Sequence, residues 1–210
     1  MSTAPPIIGI LALQGDFEVH RKALEQSGGR VKEVRAQSDF AQIDGLIIPG
    51  GESTTMLKLM NEEKLFEPVR QFGLSKPVFG TCAGAILLAR RVLNPEQQAL
   101  GLMDMTVERN AYGRQIDSRI VQLSLDGQPL EAVFIRAPVI LNVCGSARVL
   151  ITYDGDPVLV EEGMHLAATF HPELANDFRI HRRFVEKVAV RAGQNSVAIA
   201  PDFSGEYRSR

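Results

Sequence analysis

Short apolar runs alternate with amphipathic stretches through the first half of the chain, and glycine marks the switches between them. Ile7 to Leu13 reads as a buried strand. Asp16 to Ser27 follows as an amphipathic helix stopped by Gly28 and Gly29, where a left-handed turn fits. Val31 to Val34, Gly45 to Ile48 and Val78 to Phe79 continue the set of strands, with helices expected near Thr54 to Asn61, Glu63 to Phe72 and Ala85 to Arg91. Such alternation implies right-handed crossovers between parallel strands and predicts a three-layer α/β/α sandwich around a mostly parallel sheet. In open sheets of this kind, sites gather at the carboxyl ends of the strands. The second half reads differently. Shorter β runs at Met103 to Val107, Ile120 to Leu125, Val133 to Ile135, Val149 to Tyr153 and Val158 to Glu161 predict hairpins, and a helix from Asp177 to Arg191 closes the chain. Residues 1–193 are expected to form one domain, and the polar, arginine-ended stretch 194–210 a flexible tail.

Composition narrows the classes of function. At 210 residues the chain can bury one sizeable core. Twenty-three basic side chains against 25 acidic ones leave a formal charge of -2, which gives no electrostatic case for nucleic acid or an anionic membrane surface. The longest apolar stretch, Val78 to Ala89, is interrupted by Gly and Thr and falls short of the ~20 residues that a bilayer requires. Met1 to Pro6 carries no basic region ahead of a long apolar core, so no secretory signal is expected and the location expected is cytoplasmic. The two cysteines read as thiols, with Cys144 expected to be small and buried. Neither Cys-x-x-Cys nor His-Glu-x-x-His occurs, so no metal and no cofactor is expected.

Candidate chemistry falls at three strand ends. Gly80-Thr81-Cys82-Ala83-Gly84 sits between an apolar strand and a helix-forming run. It reads as a sharp strand-to-helix elbow carrying a cysteine, its flanking glycines admitting the close backbone approach. The amino end of the following helix favours thiolate over thiol. A buried structural cysteine beside two turn glycines is the alternative for the pentapeptide alone. Thr169-Phe170-His171-Pro172-Glu173 supplies a base and its orienter: Pro172 biases His171 toward extended torsions, in which residues two apart share a side. A nucleophilic thiol needs a general base, and the imidazole needs an acid on its other nitrogen. Cys82, His171 and Glu173 fill those roles, although His-Pro-Glu alone would as readily cap a strand. In the third segment, Leu46-Ile47-Ile48-Pro49-Gly50-Gly51-Glu52-Ser53-Thr54-Thr55, a Gly-Gly peptide can offer its N–H to an oxyanion, a donor worth about 2.7 to 4 kcal/mol in the transition state. Ser53 or Thr54 is expected to cap the next helix. The loop lacks the Gly-Lys-Ser/Thr of a phosphate loop.

With these blocks in order the chain resembles the glutaminase subunits of ribose-5-phosphate-dependent pyridoxal 5'-phosphate synthases, class I triad glutamine amidotransferases of flavodoxin-like fold. The resemblance runs from Gly9-Ile10-Leu11-Ala12-Leu13-Gln14-Gly15 through the three segments above. It also takes in Val107-Glu108-Arg109-Asn110, Gly113-Arg114-Gln115, Phe134-Ile135-Arg136-Ala137-Pro138 and Phe170-His171-Pro172-Glu173-Leu174, covering roughly Ile7 to Ala192. It implies that Cys82 attacks the carboxamide of L-glutamine, that His171 shuttles the proton and that Glu173 orients it. It implies further that Gly51, Glu52, Ser53, Arg109, Ile135 and Arg136 hold the substrate, and that N–H groups of Ala83 and Gly51 form the oxyanion hole. An arginine fork suits the α-carboxylate; a surface salt bridge is the alternative for Arg109 and Arg136. The implied partner is a (β/α)8-barrel synthase subunit in a large hetero-oligomer, which takes the ammonia and activates the glutaminase on docking. Two rivals remain open at this point: a cysteine hydrolase of the same architecture acting on another substrate, and a non-catalytic regulatory subunit.

Overall fold

Strands that are apolar at nearly every position belong inside a sheet covered on both faces. The sequences Ile-Ile-Gly-Ile-Leu, Gly-Leu-Ile-Ile, Val-Phe-Gly-Thr and His-Leu-Ala-Ala take up that position. A computed structural model describes residues 4–15, 17–110 and 118–198. In chain order its elements are β1 (Ile7–Leu11), α1 (Phe17–Gln26), β2 (Arg30–Val34), β3 (Gly45–Ile48), α2 (Ser53–Glu62), α3 (Phe66–Gly73), β4 (Val78–Thr81) and α4 (Ala83–Leu88). Then follow β5 (Ala89–Leu93), β6 (Met103–Glu108), β7 (Arg119–Leu125), β8 (Gln128–Phe134), β9 (Val139–Val143), β10 (Arg148–Tyr153), β11 (Asp156–Glu162), β12 (His165–Ala168) and α5 (Arg179–Ala198).

The main sheet has the order β10-β11-β12-β4-β3-β1-β2. Neighbours from β12 to β2 pair in parallel, whereas β11 runs antiparallel to β12 and to β10. Side chains alternate between two apolar clusters, one on each face. Leu11, Leu46, Ile48, Val78 and Ala167 pack with Met56 and Met60 of α2, Val69 and Phe72 of α3 and residues 85–88 of α4. Ile8, Ile10, Ile47, Phe79, Leu166 and Ala168 pack with Leu24 of α1, with Ile180, Phe184 and Val188 of α5, and with the β7–β8 hairpin. This is the expected three-layer sandwich. Smaller sheets, β5-β6-β9 and β7-β8, complete it.

Two hairpins turn at Asp-Gly pairs. Asp126-Gly127 has φ of 51° and 77°, and Asp154-Gly155 has 51° and 88°. Both residues at positive φ match the twist of the flanking strands. Gly28, at φ 87°, ends α1 in the left-handed turn that the sequence called for.

Several boundaries differ from expectation. The helix predicted to run from Ala85 to Arg91 stops at Leu88, because Ala89–Leu93 pairs with β6 as a strand and turns Arg90 and Arg91 to solvent. Strand β9 was not foreseen; it lies antiparallel on β6 with Val139 and Ile140 buried. β8 starts at Gln128 and ends at Phe134, so Ile135 lies past the strand. Cys144 is exposed, contrary to the buried role expected of it. It falls in the turn after β9, where Gly145 takes φ 61° and the chain swings outward. The closing helix starts two residues later than predicted and continues to Ala198, past the point where the tail was to begin. The rest of that tail and the segment Gly113-Arg114-Gln115 lie outside the described residues. Among the described residues no helix is long and apolar enough to cross a membrane.

Candidate active site

Strand β4 ends at Thr81 and α4 begins at Ala83, so Cys82 alone makes the turn between them, with φ 47° and ψ -103°. A side chain at such torsions is strained and persists only where its surroundings impose it. The imposition is visible. A Cβ on Gly84 would stand 2.0 Å from the carbonyl oxygen of Ile48, and one on Gly80 would stand 2.4 Å from the carbonyl carbon of Gly84. Cys82 N–H donates to Ala168 O at 2.8 Å, and Ile86 N–H donates to Cys82 O at 3.2 Å. The thiol is 7% exposed, with Sγ 4.0 Å from Ile135 O.

His171 and Glu173 meet, but not along an extended strand as expected. β12 stops at Ala168, His171 has φ -107° and ψ 83°, and Pro172–Leu174 forms a 3-10 turn that brings the carboxylate back under the ring. Proline at the first position of that turn fixes φ without wasting a donor. His171 Nδ1 lies 2.8 Å from Glu173 Oε1, and its backbone N–H donates to Val133 O at 2.8 Å. The imidazole and Cys82 line the same cavity. Burial lowers the His171 pKa, but hydrogen bonds and charge from Cys82 and Glu173 outweigh it and push it up to about 10. For Glu173, 3% exposed, burial raises the pKa and the facing His20 and His171 more than reverse it, holding the carboxyl below the usual range.

Four adjacent strands, β12, β4, β3 and β1, send their carboxyl ends to the same place. They deliver His171, Cys82, Gly50-Gly51 and Gln14-Gly15. A cavity of about 280 Å³ opens there, near the small end of ligand sites. Of the residues expected to hold substrate, Gly51, Glu52, Ser53, Arg109, Ile135 and Arg136 all line it, together with Cys82 and His171. Ala83 and Glu173 stand behind the wall, 1% and 3% exposed. Gly50, from the Gly-Gly turn expected at the oxyanion, lines it too; Gly15, Ile86, Asn110 and Pro138 line it as well and had not been assigned to the site. Gly15 and Asn110 sat in motifs already quoted, and the position of each at a strand end was the available signal.

The glycines here are sterically required. Gly51 takes φ 137°, and a Cβ on it would meet Gln14 Nε2 at 2.5 Å. The Gly50 carbonyl oxygen packs against Gly15, where a Cβ would stand 2.0 Å from it. Glu52 corrects the expected cap. Its carboxylate, not Ser53 or Thr54, caps α2, accepting from the N–H groups of Thr54 at 2.9 Å and Thr55 at 2.7 Å. Burial raises its pKa, and those hydrogen bonds pull it down to about 2. Ser53, at the buried first position of the helix, instead reaches Gln97 Oε1 at 3.3 Å. Arg109, whose side chain is 10% exposed, donates to Glu52 Oε1 at 3.2 Å and Thr54 Oγ1 at 2.5 Å. Its Nε is buried without a hydrogen-bond partner, so part of the guanidinium remains to be satisfied.

The chain is similar to known proteins over most of its length. The sequence model of the SNO glutamine amidotransferase family matches residues 10–190. The chain is 55% identical over 190 residues to the pyridoxal 5'-phosphate synthase subunit PdxT of Solibacter usitatus, covering 86% of this chain and 98% of the relative. It is 50% identical over 193 residues to the PdxT subunit of Deinococcus radiodurans, covering 88% and 98%. A crystal structure of a glutamine amidotransferase superposes with a TM-score of 0.81 at 45% identity, over 87% of this chain and 98% of that one. PurLQS from Thermotoga maritima, at 16% identity and a TM-score of 0.59, covering 93% and 100%, shares the fold.

Proposed function

The chain belongs to the SNO glutamine amidotransferase family, and from that membership we propose that it hydrolyses L-glutamine to L-glutamate and ammonia and passes the ammonia to a synthase subunit that makes pyridoxal 5'-phosphate. The observation that carries this is the convergence of sulfur, imidazole and carboxylate from the ends of two adjacent strands onto one cavity.

In the proposed reaction Cys82 Sγ adds to the side-chain carbonyl carbon of glutamine, and its proton goes to His171. The carbonyl oxygen becomes an oxyanion that accepts from the N–H groups of Gly51 and Ala83. His171 then returns the proton to the departing nitrogen, the C–N bond breaks, and ammonia leaves behind a glutamyl thioester. Water attacks the thioester with His171 as base, which restores the thiol and releases glutamate. Glu173 holds the Nδ1–H tautomer throughout. A raised His171 pKa suits the general-acid step. Arg136 and Arg109 line the cavity where an α-carboxylate would sit, and Glu52, Ser53 and Ile135 complete the wall.

The partner we assign is a (β/α)8-barrel synthase in a large hetero-oligomer, docked on the carboxyl face of the sheet. Activation on docking would act through the Gly50-Gly51 peptide, whose torsions two glycines leave free once the Gly50 carbonyl is drawn off Gly15. We read residues 1–193 as the amidotransferase domain and assign the protein to the cytoplasm, where Cys82 stays a thiol. The test is glutamate release from glutamine by the purified chain, with and without the synthase subunit. Turnover that rises with the synthase and is lost in Cys82→Ala is expected. A turnover unchanged by the synthase would refute activation, and one retained in Cys82→Ala would refute the nucleophile.

A further inference from the structure

Behind the triad lies a polar cluster that the reaction above does not use. His20, on the buried stripe of α1 with Ala23 and Leu24, is fully buried, and so are Thr81 of β4 and His181 of α5. His20 Nε2 stands 3.4 Å from Glu173 Oε1 and 3.2 Å from Thr81 Oγ1. His20 Nδ1 stands 3.0 Å from His181 Nε2, and His181 Nδ1 has no hydrogen-bond partner among the described residues. From its spacing His20 reads as a core residue. Its surroundings are those of a second donor to the catalytic carboxylate.

We propose that His20 is a positioning residue of the triad: with a proton on Nε2 it donates to Glu173 and to the Thr81 hydroxyl, while His181 accounts for its other ring nitrogen from behind. The inference rests on the glutaminase reading for its kinetic consequence; its hydrogen-bond assignment rests instead on the ring geometry and on the burial of His181. His181, deep between Phe79 and His20, is kept neutral chiefly by burial, which lowers its pKa to about 3. A neutral ring carries one proton. On Nδ1 it would be a buried N–H with no acceptor; on Nε2 it donates to His20 Nδ1 and leaves only a bare lone pair, which costs less. With Nδ1 of His20 accepting, its own proton lies on Nε2, facing the carboxylate and the hydroxyl in a shared bond.

Two consequences follow for the reaction. Glu173 is a buried carboxylate whose Oε2 has no hydrogen-bond partner among the described residues, so Oε1 alone faces the two rings, His171 at 2.8 Å and His20 at 3.4 Å. Removing one donor destabilises the charged form and loosens the rotamer. Thr81 immediately precedes Cys82, so the same ring also ties the strained elbow to the carboxylate that aims the base. The titratable groups facing Glu173 are His171 from the turn after β12 and His20 from α1, with His181 from α5 one ring further away.

The test compares His20→Phe, which fills the space without a donor, with His20→Gln, whose amide can donate. Both are measured with the full chain in complex with its synthase partner. For His20→Phe the expected result is a kcat lower by roughly 10- to 100-fold. KM should stay within about twofold, since His20 does not line the cavity, and the acid limb of the kcat profile should move up by about one pH unit. His20→Gln should recover much of both. Unchanged kcat and acid limb in folded His20→Phe would overturn the proposal. So would equal losses in both variants that track a lowered melting temperature. Should the variants fail to fold, nitrogen-15 histidine spectra of the wild-type protein still decide: a His20 with its proton on Nδ1 refutes the arrangement. A wild-type complex without glutaminase activity would count against the preceding section, and the spectra would judge the hydrogen bonds separately.

Discussion

Gly50 tests whether the catalytic imidazole is held as tightly as the geometry requires. A methyl group placed on it would stand 2.4 Å from His171 Cε1, 3.1 Å from Nδ1 and 3.5 Å from Cys82 Cβ, where ordinary contact starts at 3.4 Å. Restoring contact to the ring needs about 1 Å of movement. Neither side has slack. The imidazole is fixed through Glu173 on Nδ1 and through its backbone N–H on Val133, while the Gly50 carbonyl is packed against Gly15. Movement of the ring lengthens either the Nδ1 to Glu173 bond or the reach to Cys82, and a misplacement of ~1 Å in a catalytic group costs ~100-fold in rate. Gly50→Ala is therefore expected to lower kcat for glutamine about 100-fold, or about 2.7 kcal/mol of transition-state stabilisation. Overpacking should also destabilise the fold by about 1 to 3 kcal/mol. Steady-state glutamate production by the variant in complex with the synthase subunit, alongside thermal melting, reads both. A folded Gly50→Ala enzyme within threefold of the wild-type kcat would refute the reasoning, because the ring would then have room that the structure denies it.

Cys82→Gly should melt higher than Cys82→Ala, since glycine accepts φ 47° and alanine keeps a strain of about 1 to 3 kcal/mol; calorimetry of the two inactive proteins compares them directly. Glu161 is 3% exposed; burial raises its pKa, but Lys187, Arg183 and Arg148 outweigh it and bring it from 4.5 to about 2. A depressed carboxyl stabilises above its unfolded pKa and loses that contribution as pH falls through the folded one. Wild-type protein should therefore melt above Glu161→Gln at pH 7, and the gap should close between about pH 4.5 and pH 2. Gly193→Ala, inside α5 with open space around the added carbon, should raise stability by about 0.5 to 1 kcal/mol and leave glutamine turnover unchanged.

What the sequence disclosed follows a physical line. Strands buried on both faces announce themselves as continuous apolar runs, and the glycines at their carboxyl ends mark where the backbone turns sharply. Cys82, Gly50-Gly51 and His171 could thus be placed before any coordinates. Amphipathic edge strands such as β9, half exposed, leave a weaker trace. Ala89 to Leu93 continues the composition of the helix before it and becomes a strand only through its pairing with β6. Glu52 was chosen for the substrate on grounds of resemblance, yet its carboxylate is engaged by two N–H groups that only the fold of α2 presents. His20 was invisible because its spacing places it on an apolar stripe, and what distinguishes it lies 161 and 61 positions away, at His181 and Thr81.

The pairing of β4 with β12 has a consequence for synthesis of the protein on the ribosome. Val78 N–H finds His165 Nδ1 across 87 positions of sequence, and the parallel ladder continues to Ala168 beside Thr81. The sulfur therefore emerges long before the imidazole, and a growing chain carries an elbow with no base until residues 165–173 have been added and have inserted between β4 and β11. On the proposed mechanism, unfinished or prematurely terminated chains would be silent toward glutamine, and the cell's amide nitrogen would be drawn on only by molecules that have completed their sheet.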